Sequence, residues 1–153
     1  MRVIDFLQPD CIVARLGATT KLGVLAELSD RMAKVVPGVE AGALRHVLEE
    51  REMLASTAIG DGIAIPHGKL DSVGHLVGAL GRAVEGIEFE SIDGKPTNLV
   101  FMLVAPASST GVHLKALARL SRLFRDADFR QRLLAAPSSE AMYQVIAEED
   151  AKY

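Results

Sequence analysis

An unbroken apolar run, Leu-Val-Phe-Met-Leu-Val at 99–104, constrains the fold of this chain more than any other feature. A strand with one face in solvent would alternate apolar and polar residues, so a continuous run of this length predicts a strand that is buried on both faces. Turn-forming residues precede it at Ser91–Pro96, and a polar loop follows at Pro106–Gly111. The chain must therefore supply layers that cover a sheet from both sides.

The rest of the chain supplies alternating strand and helix patterns. Further strands are predicted at 63–66 and 76–84, and the Asp93-Gly94 turn predicts a hairpin between the second of these and 99–104. Helices are predicted from the Thr19-Thr20 cap to Pro37-Gly38, at 40–54 and 112–124, and from Asp126 and Ser138 onward. Apolar spacing places Leu22 and Met53 on the buried sides of the first two helices. This order predicts an α/β fold with a sheet covered by helices.

Length and composition predict a single domain over residues 1–153, since 49% of the residues are apolar and 24% are charged. The longest strongly apolar run, 99–107, is far shorter than the roughly 18 residues of a membrane span. The first residues lack a signal-peptide pattern, so we expect a cytoplasmic protein without direct membrane insertion. The lone Cys11 is interpreted as a buried apolar residue, and no residue spacing suggests a metal site.

The charge pattern argues against nucleic acid as a partner. The net charge is −3, and Lys and Arg are scattered along the chain. One local stripe is formed by Lys115, Arg119, Arg122 and Arg125, whose spacing places them along one helix face. We interpret this stripe as a solvated face, and a docking surface for an acidic partner is the alternative.

The segment Ser56–Lys69 ends a short apolar run on His67, which is held between Pro66 and Gly68. Proline restricts its own φ and biases Ile65 toward extended geometry, and glycine permits a turn, so His67 is predicted at a strand end in a tight bend. An imidazole in that position is presented to a partner. The alternative is ordinary turn chemistry with an incidental histidine.

This whole segment resembles the active-site segment of the IIA domains of the fructose and mannitol class of the bacterial phosphoenolpyruvate-dependent sugar phosphotransferase system. The similarity extends to Arg51-Glu52, Gly111–Leu114, Leu117–Leu120 and Phe129, and so covers nearly all of the chain. The resemblance implies one mixed β-sheet with helices packed on both sides. It also implies that His67 carries a phosphoryl group.

The residues fit that chemistry. A neutral imidazole has a free lone pair with which it can attack phosphorus, and the transfer then needs positive or hydrogen-bonding groups around the phosphoryl oxygens. The resemblance points to Arg51 for charge stabilisation and to His113 for a hydrogen bond, while Lys69 is a weaker candidate. Asp61 is interpreted as a turn residue. His46 and His75 match no motif and are predicted to be structural or exposed.

Within this family, the opening of the chain resembles the nitrogen-regulatory branch. That resemblance implies a histidine phosphocarrier protein as donor and no cofactor or metal. It also implies target proteins, such as potassium-transport or kinase regulators, that respond to the phosphorylation state. One alternative is a sugar-transport IIA component that passes phosphate to a IIB partner. Another is a regulatory binding module that acts without phosphorylation, and a hydrolytic enzyme is disfavoured because no Gly-x-Ser-x-Gly motif occurs.

Overall fold

The computed structural model describes residues 1–109 and 111–153. The strands are β1 (Leu7–Val13), β2 (Ala58–Gly60), β3 (Ile63–Ala64), β4 (His67–Leu70), β5 (Val77–Ile87) and β6 (Thr97–Pro106). The α-helices are α1 (Lys21–Val35), α2 (Ala41–Leu54), α3 (Gly111–Phe124), α4 (Ala127–Ala135) and α5 (Ser139–Asp150), and a short 3-10 turn covers Val3–Asp5.

The strands form one mixed sheet in the order β1-β5-β6-β3-β2, and β4 pairs with β6 beyond the end of β3. β5 and β6 are antiparallel, as the predicted hairpin requires, whereas β3 and β4 both run parallel to β6. Every residue from Leu99 to Ala105 is buried. The prediction of a strand covered on both faces is therefore confirmed.

The helices pack as two groups against the sheet. α1 contacts α2, β1 and β5, and α2 also contacts β4. The second group is α3, α4 and α5, in which α4 joins the other two helices and α5 packs on β1. This mixed sheet with helices on both sides is the predicted fold class.

Several predicted helix starts are confirmed by their caps. The Thr20 hydroxyl accepts a hydrogen bond from the Gly23 amide at 3.1 Å. Asp126 and Ser138 cap α4 and α5 in the same manner. Such caps satisfy amides that have no partner within the helix. The predicted capping loop before α3 includes Thr110, which lies outside the described residues.

The apolar spacing was misleading at two positions. Leu22 is 57% exposed because it lies at the edge of the buried face of α1, which centres on Leu28. Met53 is 84% exposed. Successive residues of an α-helix are rotated by about 100°, so residues four apart lie on the same face. The residue that follows Leu44 and Leu48 at this spacing is Glu52, which is only 7% exposed. The prediction that Met53 is buried is therefore wrong, and the carboxylate of Glu52 takes the buried position beside it.

The basic stripe divides into two parts. Lys115, Arg122 and Arg125 are exposed, in agreement with a solvated face. Arg119 is different, because its guanidinium lies 2.8 Å from the fully buried carboxylate of Asp150 at the end of α5. Among the residues that the structure describes, no helix is both long and apolar enough to cross a membrane.

Candidate active site

The fold brings His67 and His113 together. Their ring centroids are 5.4 Å apart, and the ring planes are inclined by 55°. His67 is the first residue of β4 and pairs with Leu103 of β6, while His113 lies in the first turn of α3, which follows β6. Both imidazoles therefore lie near the C-terminal half of one buried strand, which holds them at a defined separation.

The backbone at His67 differs from the prediction. The chain leaves the sheet at Ile65 and Pro66 and re-enters it at His67, so this residue begins a strand instead of ending one. Gly68 lies within β4 and is not in the left-handed region. A Cβ atom on Gly68 would lie 2.6 Å from Cγ1 of Val47. Glycine is therefore needed because α2 packs closely against β4, and not because the chain turns there.

The turn lies earlier, between β2 and β3. Gly60, Asp61 and Gly62 have φ values of 93°, 57° and 77°. Asp61 donates its amide to the Asp93 carboxylate at 3.2 Å, which ties this turn to the β5–β6 connection. The prediction that Asp61 is a turn residue is confirmed.

The hydrogen bond of His67 defines its tautomer. Nδ1 lies 2.8 Å from the carbonyl oxygen of Ile65. A carbonyl oxygen can only accept, so Nδ1 carries the proton and Nε2 keeps its lone pair. Burial lowers the pKa of His67, and the charge of Arg51 lowers it further, against the opposing effects of the Ile65 bond and Glu52. The ring is therefore neutral at pH 7, with a nucleophilic Nε2.

His113 is also held in its neutral form. Burial lowers its pKa, and the neighbouring His67 and Lys69 act in the same direction. Its Nδ1 is buried, and it has no hydrogen-bond partner within residues 1–109 and 111–153. A neutral imidazole in the first turn of a helix lies beside free backbone amides, an environment that favours an anion.

Two cations lie near the pair. Arg51, in the last turn of α2, donates from Nη1 to the carbonyl of Ala55 at 2.9 Å, and its charge acts on His67. Lys69 shares a face of β4 with His67, because side chains two residues apart in a strand point the same way. Its charge acts on His113. Two positive charges therefore act on the histidine pair, and positive charge stabilises a bound anion.

Glu52 belongs to the family motif, but no role was predicted for it. Its carboxylate lies 2.7 Å from Nζ of Lys21 and accepts hydrogen bonds from both the amide and the hydroxyl of Thr57. The amide nitrogen of Thr57 lies 3.2 Å from each carboxylate oxygen of Glu52. A signal was present in the sequence, since Glu52 falls on the buried stripe of α2.

The remaining candidates lie outside this arrangement. His46 is exposed on α2 and pairs with Glu50, and His75 is an exposed loop residue whose Nδ1 lies 3.0 Å from the carbonyl of Leu76. Cys11 is fully buried, and burial raises its pKa to about 11. Within the described part of the chain, no three His, Cys, Asp or Glu side chains converge as metal ligands would.

The fold and the histidine pair can now be compared with known protein families. Residues 5–149 match the family model described as "Phosphoenolpyruvate-dependent sugar phosphotransferase system, EIIA 2". The chain therefore belongs to this family of IIA-type phosphocarriers.

The chain is also similar to individual members of this family. The chain is 42% identical to the nitrogen regulatory protein of Bradyrhizobium diazoefficiens over 147 residues, which cover 96% of this chain and 95% of the relative. The nitrogen regulatory protein IIA-Ntr of Neisseria meningitidis superposes with a TM-score of 0.86 at 30% identity, covering 93% of this chain and 97% of that one. The fructose-specific EIIABC component of Bacillus subtilis is 35% identical over 98% of this chain, which spans only 24% of that relative.

Proposed function

We propose that this protein accepts a phosphoryl group on Nε2 of His67 from a histidine phosphocarrier protein, and that its phosphorylation state regulates target proteins. One observation carries the proposal. The bond from Nδ1 to the Ile65 carbonyl leaves Nε2 unprotonated, on a ring that lies beside His113 and feels the charge of Arg51. This arrangement supports the roles that were predicted for His67, His113 and Arg51.

In the proposed step, the lone pair of Nε2 attacks phosphorus, and a P–N bond forms. The P–N bond of the donor breaks at the same time, and its electron pair returns to the donor imidazole. As positive charge develops on the His67 ring, the Nδ1 proton remains shared with the Ile65 carbonyl, which stabilises that charge. His113 donates a hydrogen bond to a phosphoryl oxygen, and Arg51 provides charge stabilisation. No metal or cofactor takes part in this proposed step.

The regulatory output is supported by the relatives. The nitrogen regulatory protein of Bradyrhizobium diazoefficiens is matched over 95% of its length. We therefore propose a cytoplasmic regulator in a nitrogen-related phosphotransferase system, with targets such as potassium-transport or kinase regulators. The alternative of a sugar-transport component is favoured by the match to the fructose-specific EIIABC component of Bacillus subtilis. In that case the acceptor is a cysteine of a IIB partner.

The experiment is phosphorylation in vitro. The protein is incubated with phosphoenolpyruvate, enzyme I and the histidine phosphocarrier protein, and the product is measured by intact mass before and after acid treatment. We expect one acid-labile phosphoryl group, its loss in His67→Ala, and slower transfer in folded His113→Ala. The matched control is His46→Ala, which removes an exposed histidine outside the site. Normal phosphorylation of folded His67→Ala refutes the assignment of the site, and failure of the wild type to react favours a binding module that acts without phosphorylation.

A second experiment separates the regulatory and transport roles. The phosphorylated protein is mixed with a fructose-type IIB domain, and the loss of phosphate from His67 is followed over time. A regulator should retain its phosphate under conditions in which a fructose-type IIA domain has transferred its own. Transfer to the IIB cysteine at the rate of that domain supports the transport alternative.

A further inference from the structure

Glu52 is a buried carboxylate, paired with Lys21, that the proposed transfer step does not use. Its side chain is 3% exposed, and it lies in the last turn of α2. The negative end of the helix dipole makes this position unfavourable for a carboxylate, and burial of the charge adds a desolvation penalty. An apolar residue would continue the Leu44–Leu48 stripe without either penalty. The position of Glu52 therefore calls for a compensating interaction.

One compensating interaction is with Lys21, at the start of α1. Its ammonium group lies 2.7 Å from Glu52 and 3.1 Å from Glu90, and 5.2 Å from the centre of the Phe89 ring. Burial alone lowers the pKa of Lys21, but the hydrogen bonds with Glu52 and Glu90 outweigh that effect and the pKa is raised. Lys21 is therefore charged, and it offsets the charge of Glu52.

The second interaction leads to His67 by a continuous series of hydrogen bonds. Glu52 accepts from the amide and the hydroxyl of Thr57. The carbonyl of Thr57 accepts from the amide of Ile65 at 3.0 Å. The carbonyl of Ile65 accepts from Nδ1 of His67 at 2.8 Å. Two backbone segments therefore link the carboxylate to the ring nitrogen that carries the proton.

Ile65 lies in the break between β3 and β4, where its side chain is buried. The next residue, Pro66, has no amide to donate, and its carbonyl accepts from the amide of Leu103 in β6 at 2.9 Å. The amide of Ile65 itself is held by the carbonyl of Thr57. A movement of Thr57 therefore acts on the backbone that carries the Ile65 carbonyl, next to the His67 ring.

We propose that Glu52 is a positioning residue: its contact with Thr57 holds the Ile65 carbonyl where it keeps the proton on Nδ1 of His67 and directs Nε2 toward the donor. The effect on transfer rests on the function proposed above. The effect on the tautomer does not, because it is a property of the free protein. The two proposals can therefore fail separately.

The primary measurement is the His67 tautomer, read from the ¹⁵N shifts of the ring nitrogens in a long-range proton–nitrogen NMR spectrum. Glu52→Gln replaces one acceptor oxygen with an NH₂ group that faces the donors of Lys21 and Thr57. Thr57→Val removes the hydroxyl donor and leaves the Lys21 ion pair in place. Thr57→Ser keeps the hydroxyl and is the conservative variant.

The matched control is Asp150→Asn. Asp150 is a fully buried carboxylate that accepts from the amides of Val3 and Ile4 and pairs with Arg119. Its replacement by Asn, like that of Glu52 by Gln, places an NH₂ group opposite hydrogen-bond donors, but far from His67 in the sequence. It tests whether loss of stability alone changes the His67 ring. All variants are compared at a temperature at which each is folded.

We expect the Nδ1–H tautomer to dominate in the wild type, in Thr57→Ser and in Asp150→Asn. In Glu52→Gln and Thr57→Val the Nε2–H form should become populated, and the phosphorylation rate should fall by about tenfold because the nucleophile is misplaced. Tautomer populations equal to those of the wild type in folded Glu52→Gln and Thr57→Val overturn the proposal. A shift of the same size in Asp150→Asn also overturns it. If the wild type accepts no phosphate, the proposed function fails, and the tautomer data still decide the role of Glu52.

Discussion

Glu52 and Asp150 are both buried carboxylates with similar partners, but they connect different parts of the molecule. Glu52 accepts hydrogen bonds from Thr57 and pairs with Lys21 at 2.7 Å, and Asp150 accepts from two amides and pairs with Arg119 at 2.8 Å. Thr57 is five residues from Glu52, whereas Val3 is 147 residues from Asp150. The first contact orders a local segment beside His67, and the second joins the two ends of the described chain.

The comparison shows that a hydrogen-bonded, ion-paired carboxylate can either position a nearby side chain or stabilise the whole fold. A contact between distant parts of the sequence is lost only when the fold opens, so its removal acts mainly on the free energy of unfolding. A contact within a short segment can change while the surrounding core stays intact. We therefore expect variants at the two carboxylates to separate these effects.

The largest effect on stability is expected for Asp150→Asn. The amides of Val3 and Ile4 donate to different oxygens of Asp150, so the new NH₂ group leaves one of them without an acceptor. The charge of Arg119 loses the carboxylate opposite it. A buried charge pair broken from one side lowers the free energy of unfolding by about 3 kcal/mol. Urea denaturation followed by circular dichroism measures this change. A loss below about 0.5 kcal/mol, the size typical of surface substitutions, would contradict the role assigned to Asp150.

Gly68→Ala tests the packing beside His67. The new Cβ would lie 2.6 Å from Val47, so α2 and β4 must separate, and overpacking of this kind lowers the free energy of unfolding by about 2 kcal/mol. Phosphorylation of His67 should slow as well, because the strand that carries it moves. Denaturation and intact-mass kinetics measure the two effects.

Gly74→Ala is the matched control for this substitution. Apart from its two chain neighbours, no described residue has an atom within 4 Å of a Cβ on Gly74, so the change should be neutral or slightly stabilising. Partial recovery in the double variant Gly68→Ala/Val47→Ala would identify the contact. Equal stabilities of Gly68→Ala and Gly74→Ala would refute the explanation for glycine in β4.

Local patterns predicted the central parts of the fold. The run at 99–104 indicated a strand covered on both faces, and Thr20, Asp126 and Ser138 marked helix starts, because these signals depend on neighbouring residues. β1 was not predicted. It is an edge strand that contains Pro9 and three successive exposed residues, so its sequence lacks the alternation of a half-buried strand.

At the site, the family motif brought His67, His113 and Arg51 into one hypothesis, and in the structure the two histidine ring centroids lie 5.4 Å apart. The backbone at Gly68 was predicted wrongly, since the need for glycine comes from Val47, which lies on a different element. The helical period of α2 indicates that position 52 is buried, but the role of Glu52 was overlooked for a similar reason. Its partner Lys21 belongs to another helix, and no local pattern shows that a buried carboxylate has a cation beside it.

The two histidines predict a pH dependence that belongs to the site. Burial lowers the pKa of both His67 and His113 below the ordinary value of 6.5. The unfolded chain therefore binds protons at a higher pH than the folded protein does. Stability from the neutral rings is complete above about pH 6.5 and is lost as the pH falls through the lowered pKa values of the folded state.

Urea denaturation between pH 7 and 5 measures this dependence. The double variant His67→Gln/His113→Gln should lose less stability over this range than the wild type does, because it lacks both lowered pKa values. Parallel pH profiles of the wild type and the double variant would contradict the lowered pKa values of the two rings.

The smallest effect is expected for Arg45→Ala, on the helix that also carries Glu52. Arg45 lies 3.7 Å from Glu49, and the two side chains are 53% and 36% exposed. Solvent screens such a pair, so its loss should change the free energy of unfolding by less than about 0.5 kcal/mol. Phosphorylation and the His67 tautomer should also stay unchanged. If Arg45→Ala were as destabilising as Glu52→Gln in the same denaturation series, burial would not be what distinguishes the Arg45–Glu49 pair from the Lys21–Glu52 pair.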